Sequence, residues 1–354
     1  MRSSFYLFCF STCMLFFSNV SQATVVLVYH HVSESTPKST SISPKQFEKH
    51  LQYIKDNGFT VIPLNEMIDS LKAKKPLADK TIVITFDDGY SDILYNGHPL
   101  LKKYGFPYTM FINPDSVPNK PGIYLDWQQI KQMSDEGVLI ANHGLKHDSL
   151  IKVPAGTNAD DWLEQKLTEL QQSEEIIEQQ TGQSWKYFAL PYGEYTPIAQ
   201  QKLADLGYAV VTQQSGPVGD STDLTAIPRF PASMPYDQLA PLKDKLNSVA
   251  FELSQQTQRS STVVDANNPI DTNVELKVDD FYPTMLACFV AGKGQAEVKW
   301  HKDNNGFTMN FDTTFAAGRQ RVNCTAPSIS KPGRYYWYSK PWFVPNKDGS
   351  WYKD

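Results

Sequence analysis

The segment Thr81-Ile82-Val83-Ile84-Thr85-Phe86-Asp87-Asp88-Gly89 constrains this chain more than any other. An unbroken run of β-branched and apolar residues reads as a strand buried on both faces, the kind that builds parallel sheets. It ends in two carboxylates, and the carboxyl ends of such strands are where α/β folds keep their chemistry. Successive side chains leave a strand in opposite directions, so Asp87 and Asp88 are expected to do different jobs. Gly89 allows the backbone to turn sharply behind them. Asp-Asp-Gly alone is an ordinary turn sequence, and it gains weight from a second motif downstream.

That motif comes after another apolar run, Val138-Leu139-Ile140, which leads into Ala141-Asn142-His143-Gly144-Leu145-Lys146-His147-Asp148. The His-x-x-x-His spacing is one that metal sites use. An aspartate and a histidine pair, each just past an expected strand, compose a two-histidine, one-carboxylate site with positions open for water and substrate.

Thr85-Phe86-Asp87-Asp88-Gly89, His143 to His147 and Leu190-Pro191-Tyr192-Gly193 stand in the order of the motifs of polysaccharide deacetylases. From about residue 24 to about residue 250 the chain resembles that family of metal-dependent hydrolases, which remove N-acetyl groups from sugar polymers. Tyr29-His30-His31-Val32, with Phe47 opening an amphipathic helix and Phe59-Thr60-Val61-Ile62 after it, is most similar to the branch acting on poly-β-1,6-N-acetylglucosamine.

The resemblance implies a division of labour. An amide resists hydrolysis because water is a weak nucleophile, the carbonyl carbon a weak electrophile and the amine a poor leaving group. A metal on Asp88, His143 and His147, Zn²⁺ above all with Co²⁺ or Ni²⁺ as substitutes, would acidify water to a pKa of about 7 and polarise the acetyl group. Asp87 would take the proton of that water as general base. The Tyr192 amide would donate to the oxyanion, a contact worth roughly 3 kcal/mol elsewhere. His30, after Tyr29, would protonate the departing amine, with His31 or a purely structural histidine pair as the alternatives. Two departures from the family stand out. The late histidine of many members is absent, since His301 is the only histidine after His147, and Ile227-Pro228-Arg229-Phe230 occupies its place. Phe188-Ala189-Leu190 replaces the arginine that often precedes Pro-Tyr-Gly, which leaves Arg229 as the candidate to orient Asp87. Pro191, Trp127 and His31 are candidate substrate contacts. Pro-Tyr-Gly equally reads as a plain turn, and Asp126-Trp127 as a helix N-cap before a core residue.

Arg2 precedes the apolar run Phe5 to Phe17, and Ser21-Gln22-Ala23 offers the small residues of a cleavage site, so residues 1–23 read as a secretory signal. An uncleaved anchor is the alternative. The expected localisation is secreted or periplasmic. Cys288 and Cys324 then remain, to be paired in an oxidising compartment or separately buried as thiols. The net charge of −5 provides no basic footprint and argues against nucleic acid. A monomer whose partner is an N-acetylated glycan is expected.

Residues 24–252 alternate short apolar runs with helical patterns, which predicts a distorted (β/α) barrel of about seven strands. The polar stretch 253–272 reads as a linker, and 273–354 as a small immunoglobulin-like β-sandwich with alternating patterning. Trp300, Trp337, Trp342 and Trp351 make that domain either a glycan-binding platform or ordinary packing. Two classes of function therefore stand. One is a secreted N-deacetylase acting on poly-β-1,6-N-acetylglucosamine, chitin oligomers or peptidoglycan, or a xylan acetyl-esterase with the same motifs; the other is a noncatalytic glycan-binding protein on the same scaffold.

Overall fold

The computed structural model describes residues 23–119, 122–264, 272–277, 280–311 and 315–353. The expected secretory signal, apart from Ala23, lies outside them. Among the described residues no helix is long and apolar enough to cross a membrane.

The first half is a parallel sheet curled into a barrel. Its strands are β1 (Thr24–Tyr29), β2 (Thr60–Val61), β3 (Thr81–Phe86), β4 (Thr109–Ile112), β5 (Leu139–Asn142), β6 (Tyr187–Ala189), β7 (Ala209–Val211) and β8 (Phe230–Pro231). They run in the order β8-β1-β3-β4-β5-β6-β7, with β2 pairing against β3. The sheet nearly closes, because Val211 bridges Ile227 three residues before β8 and the Thr212 N–H donates to the Ile227 carbonyl at 2.9 Å.

Every residue of β1 and β3 is buried, as their uninterrupted apolar runs require. Alternation divides them between two cores. Leu27, Tyr29, Ile84 and Phe86 pack against Phe47 and Leu51 of helix α1 (Pro44–Asp56), whereas Val26 and Val83 join Phe111, Ala189 and Val211 inside the barrel. Asp126 caps the helix that begins at Trp127 by accepting from the Gln129 N–H, and the Gln129 side chain completes the capping box. The helical pattern from Asp92 to Tyr104 is broken into a π-turn at Ile93–Gly97 and a helix at His98–Tyr104, where Pro99 interrupts the hydrogen-bond ladder.

The second half is two antiparallel sheets. One runs β9 (Val249–Ala250), β17 (Tyr335–Val344), β16 (Gly318–Pro327), β12 (Ala287–Val290), β13 (Gly294–Gln295); the other runs β10 (Glu252–Leu253), β11 (Asn273–Lys277), β15 (Gly306–Asn310), β14 (Glu297–Trp300). Strand β9 is the exception, pairing parallel to β17. Cys288 and Cys324 are direct cross-strand partners and form a disulfide.

One expectation needs correction. The stretch read as a linker is, in its described residues, part of the fold. Leu253 belongs to β10, residues Gln255–Gln258 form a helix capped by Ser254, and the Thr262 carbonyl accepts from the Phe343 N–H at 2.7 Å. Already at Val249 the chain has entered a sandwich sheet. Of the two readings of the tryptophans, their contacts favour packing. Trp342 is fully buried in the sandwich core, Trp300 packs beside it, and Trp337 meets Phe230 of the barrel edge-on at 5.2 Å. Trp351 lies against the cluster that holds Tyr195 and Phe343. Those rings supply the apolar contacts that a small sandwich and its seam with the barrel require.

The disulfide spans 36 residues, so its loss should release the chain entropy of a loop that size. We expect Cys288→Ser/Cys324→Ser to lose about 2–4 kcal/mol of stability in urea titrations. Reductant should weaken the parent and leave the double variant unaffected.

Candidate active site

Strand β3 delivers both aspartates, and they face different partners. The Asp87 N–H donates to the Tyr29 carbonyl at 3.0 Å, which locks the end of β3 to β1. Its carboxylate accepts two hydrogen bonds from Arg229, Nη1 to Oδ1 and Nη2 to Oδ2, both at 2.7 Å. Arg229 is itself fixed: Nε donates to the Thr212 carbonyl at 2.9 Å and Nη1 reaches Thr85 Oγ1 at 3.1 Å. Both members of the pair are fully buried. Burial works to raise the Asp87 carboxyl, but the Arg229 guanidinium outweighs it and holds the group below its ordinary range.

Asp88 adopts a φ of 73°, which swings its side chain away from Asp87 toward the histidines. Gly89 comes next at a φ of 73°, with a Cβ there only 3.0 Å from Ile112 Cγ2, so the turn needs glycine twice over. Asp88 Oδ1 lies 3.2 Å from His143 Nε2 and 3.5 Å from His147 Nε2. These three are the one group of potential metal ligands found among the described residues, with donor atoms within 4.8 Å of each other.

Loop geometry aims the histidines. His143 Nδ1 donates to the Ala189 carbonyl at 2.7 Å, leaving Nε2 as the acceptor, and Asn113 Nδ2 grips the His143 and Gly144 carbonyls at 2.5 and 3.1 Å. His147, at a φ of 61°, stands against the Tyr192 ring, 4.6 Å between centroids. The Tyr90 hydroxyl donates to Asp88, and burial, then the carboxylate charge, pushes that phenol above its ordinary value.

The residues present fit a divalent cation. His143 Nε2 is buried with no hydrogen-bond partner, and it faces a carboxylate oxygen, another acceptor, across 3.2 Å. A proton or a metal ion between the two atoms answers both. The charge balance agrees. Burial opposes ionisation of Asp88, yet the surrounding imidazoles hold its carboxyl well below its usual range. His147 is pulled down to about 4 by burial and by His143, so it presents a neutral ring. For His143, burial is outweighed by the carboxylates of Asp87 and Asp88, which raise its affinity for a proton.

The group opens into a cleft of about 650 Å³, lined on the barrel side by His30, Asp88, His147 and Tyr192. His30 is half-buried at the end of β1; burial draws its ring below the ordinary value while Asp88 and Asp87 oppose that. Tyr192 holds a φ of 60°. Asp88, His147 and Tyr192, three residues at one site, thus share the left-handed region that non-glycine residues avoid, a strain that surrounding structure must hold in place.

Residues 74–211 match the family model for polysaccharide deacetylases. The barrel is a polysaccharide deacetylase domain. YxkH of Bacillus subtilis (strain 168) is 29% identical over 210 residues, covering 59% of this chain and 71% of its own. The poly-β-1,6-N-acetyl-D-glucosamine N-deacetylase of Staphylococcus aureus (strain MSSA476) is 26% identical over 216 residues, 57% of this chain and 71% of its own. Among solved structures, IcaB from Ammonifex degensii superposes with a TM-score of 0.56 at 26% identity, covering 64% of this chain and 97% of that one. The family consists of metal-dependent hydrolases acting on N-acetyl groups.

Within the deacetylase domain, Asp87, Asp88, His143, His147, His30, Tyr192 and Arg229 converge on one end of the barrel. None of the three candidate substrate contacts lines the cleft. His31 is buried, with Nδ1 on Asp92 Oδ2 at 2.6 Å and its ring stacked on Tyr90 at 3.6 Å. Pro191 is buried beneath the Gly144 turn. Trp127 is half-buried and borders a separate depression beside Pro114 and Lys146. His31 and Pro191 follow strand ends and are buried in packing, while Trp127 opens a helix, and strand and turn patterns do not reveal which way such side chains turn.

Sequence reasoning also missed Tyr90, Asn113 and Glu194. Glu194, next to the Pro-Tyr-Gly turn, is fully buried yet accepts from Ser149 Oγ and Tyr352 Oη, both at 2.6 Å, with Lys152 Nζ at 3.5 Å and Arg319 Nη1 at 3.8 Å. Its adjacency to the motif was the only available signal. The cleft's far wall is likewise unforeseen, because the sandwich supplies it through Arg319, Gln320 and Arg321.

The Asp87–Arg229 pair makes a stability prediction independent of activity. Arg229→Ala should strand a buried carboxylate and cost about 3–5 kcal/mol in denaturant titrations, and adding Asp87→Asn should recover part of that loss. Strictly additive losses would show that the two groups do not act as a pair.

Proposed function

We propose that this chain is a metal-dependent hydrolase that removes N-acetyl groups from an N-acetylglucosamine-containing polysaccharide outside the cytoplasm, with poly-β-1,6-N-acetylglucosamine as the foremost substrate. The observation that carries this reading is a fully buried, Arg229-held Asp87 carboxylate directly beside Asp88 in the chain, whose group with His143 and His147 borders the cleft. A glycan-binding scaffold has no use for a preoriented proton acceptor beside a cation site. The S. aureus relative and the IcaB likeness support the substrate, and the sequence at residues 1–23 supports export.

Asp88, His143 and His147 would hold the ion, and Zn²⁺ suits the mixed oxygen and nitrogen donors. Such an ion supplies Lewis acidity, acidifying water and polarising a carbonyl. Asp87 accepts the water proton. Arg229 keeps that carboxylate ionised and fixes its plane, so the base is ready without rearrangement. The Tyr192 N–H, set by its left-handed backbone, donates to the oxyanion as the tetrahedral carbon forms. His30 delivers a proton to the amine as the C–N bond breaks. It acts from its protonated form, which burial disfavours and the neighbouring Asp88 and Asp87 carboxylates favour.

Acetate release by the mature chain supplied with Zn²⁺ or Co²⁺ tests the proposal, using poly-β-1,6-N-acetylglucosamine, chitin oligomers, peptidoglycan and acetylated xylan. Release is expected from an N-acetylated polymer. Asp87→Asn and His30→Ala should each lower kcat by about 10²-fold or more with metal content preserved, whereas His143→Ala should lose metal and turnover together. Equal metal loss in all three variants would contradict these roles. No release from any of the four substrates at full metal occupancy would favour the glycan-binding scaffold.

A further inference from the structure

The cleft does not end on the deacetylase barrel, since the first residues of β16 form its far side. Residues two apart on a strand share a face, so Arg319 and Arg321 project opposite to Val322 and Cys324, which are buried in the sandwich core. The barrel contributes Ser233 and Gln214 to the same cleft. Ser233 is 5% exposed and Gln214 9%, and Ser233 Oγ and Gln214 Oε1 have no hydrogen-bond partner. Buried polar atoms left unpaired at a cleft wall are costly, and ligand hydroxyls or amides would complete them.

The charge of this region is one-sided. Among the described residues lining the cleft, Asp88 is the only carboxylate, and it faces the histidine pair. Arg319 lies 3.8 Å from Glu194, which partly answers its charge. Behind Arg321, Lys245 donates to the Pro231 carbonyl at 2.6 Å; burial first, and the Arg321 charge second, pull its ammonium down to about 8. The cleft volume of about 650 Å³ falls within the range that holds a ligand of several rings.

We propose that the β16 edge around Arg321, with Ser233 and Gln214 opposite, is a subsite for the sugar units flanking the one under attack, and that it accepts N-acetylated units while rejecting units that carry a free ammonium. The proposal rests on the deacetylase reading, because each turnover converts a neutral acetamide into an amine that is protonated at neutral pH. A guanidinium beside that product repels it, which is discrimination by an introduced like charge. The sandwich thereby makes the enzyme favour stretches of polymer it has not yet processed.

Calorimetric titration of the full mature, metal-loaded chain tests this in an Asp87→Asn background, which blocks turnover while binding is read. The probes are an N-acetylglucosamine oligomer with every unit acetylated and the same oligomer with free amines in the flanking units. The amine-bearing oligomer should bind about tenfold more weakly at low salt, and the gap should narrow at high salt. Adding Arg321→Gln should close most of the gap and Arg321→Lys should preserve it, with thermal unfolding showing that both variants fold. Equal affinity for the two oligomers, or a gap unchanged by Arg321→Gln, would overturn the subsite. Acetate release is measured separately with Asp87 intact, so its absence would count against the deacetylase reading alone.

Discussion

The buried pair of Asp87 and Arg229 is the contact on which the rest of the site depends. A carboxylate with no solvent exposure would ordinarily be protonated and useless as a base. Two 2.7 Å hydrogen bonds from a guanidinium that is itself fixed to Thr212 and Thr85 keep it charged and immobile. The pair also helps to close the barrel. Arg229 belongs to the segment just before β8 and spans to the end of β3, joining the two flanks of β1 across the interior.

Around that anchor the structure accumulates local strain and then restrains it. Asp88, His147 and Tyr192 each adopt a backbone conformation that costs of order 1 kcal/mol or more. What holds them lies beside each. Gly89 packs on Ile112, Asn113 clamps the loop carrying the histidines, and Glu194 gathers Ser149, Lys152, Arg319 and Tyr352 next to Tyr192. Two of those four partners, Arg319 and Tyr352, come from the second half of the chain. The second half of the chain is thus joined to the turn that carries Tyr192.

That coupling changes the meaning of the second domain. Its tryptophans pack against its own core and the seam with the barrel rather than together on one exposed face. What it presents instead is the β16 edge, whose cations complete a cleft begun by Asp88 and His147. The two halves form one body around that cleft, consistent with the absence of a free linker in the described part of 253–272.

The sequence alone determined seven of the eight barrel strands, the order of the motifs and the residue types gathered at the site, but not the strands at Phe230–Pro231 and Gly318–Pro327. Runs such as Thr81–Phe86 have one physical reading, and side chains just past them are committed to the same end of the barrel by strand direction. It also named Arg229 as a candidate, as the arginine able to fill a gap in the pattern. Only the tertiary structure decided which neighbours each group meets. Asp87 and Arg229 are 142 residues apart, Glu194 and Tyr352 are 158 apart, and no local periodicity reports on such distances. Short-range rules likewise could not tell that His31 turns to Asp92 while His30 faces the cleft, or that Trp337 points into the seam. Strand alternation sends neighbours to opposite faces, and it is the packing of distant elements that makes one face a core and the other a site.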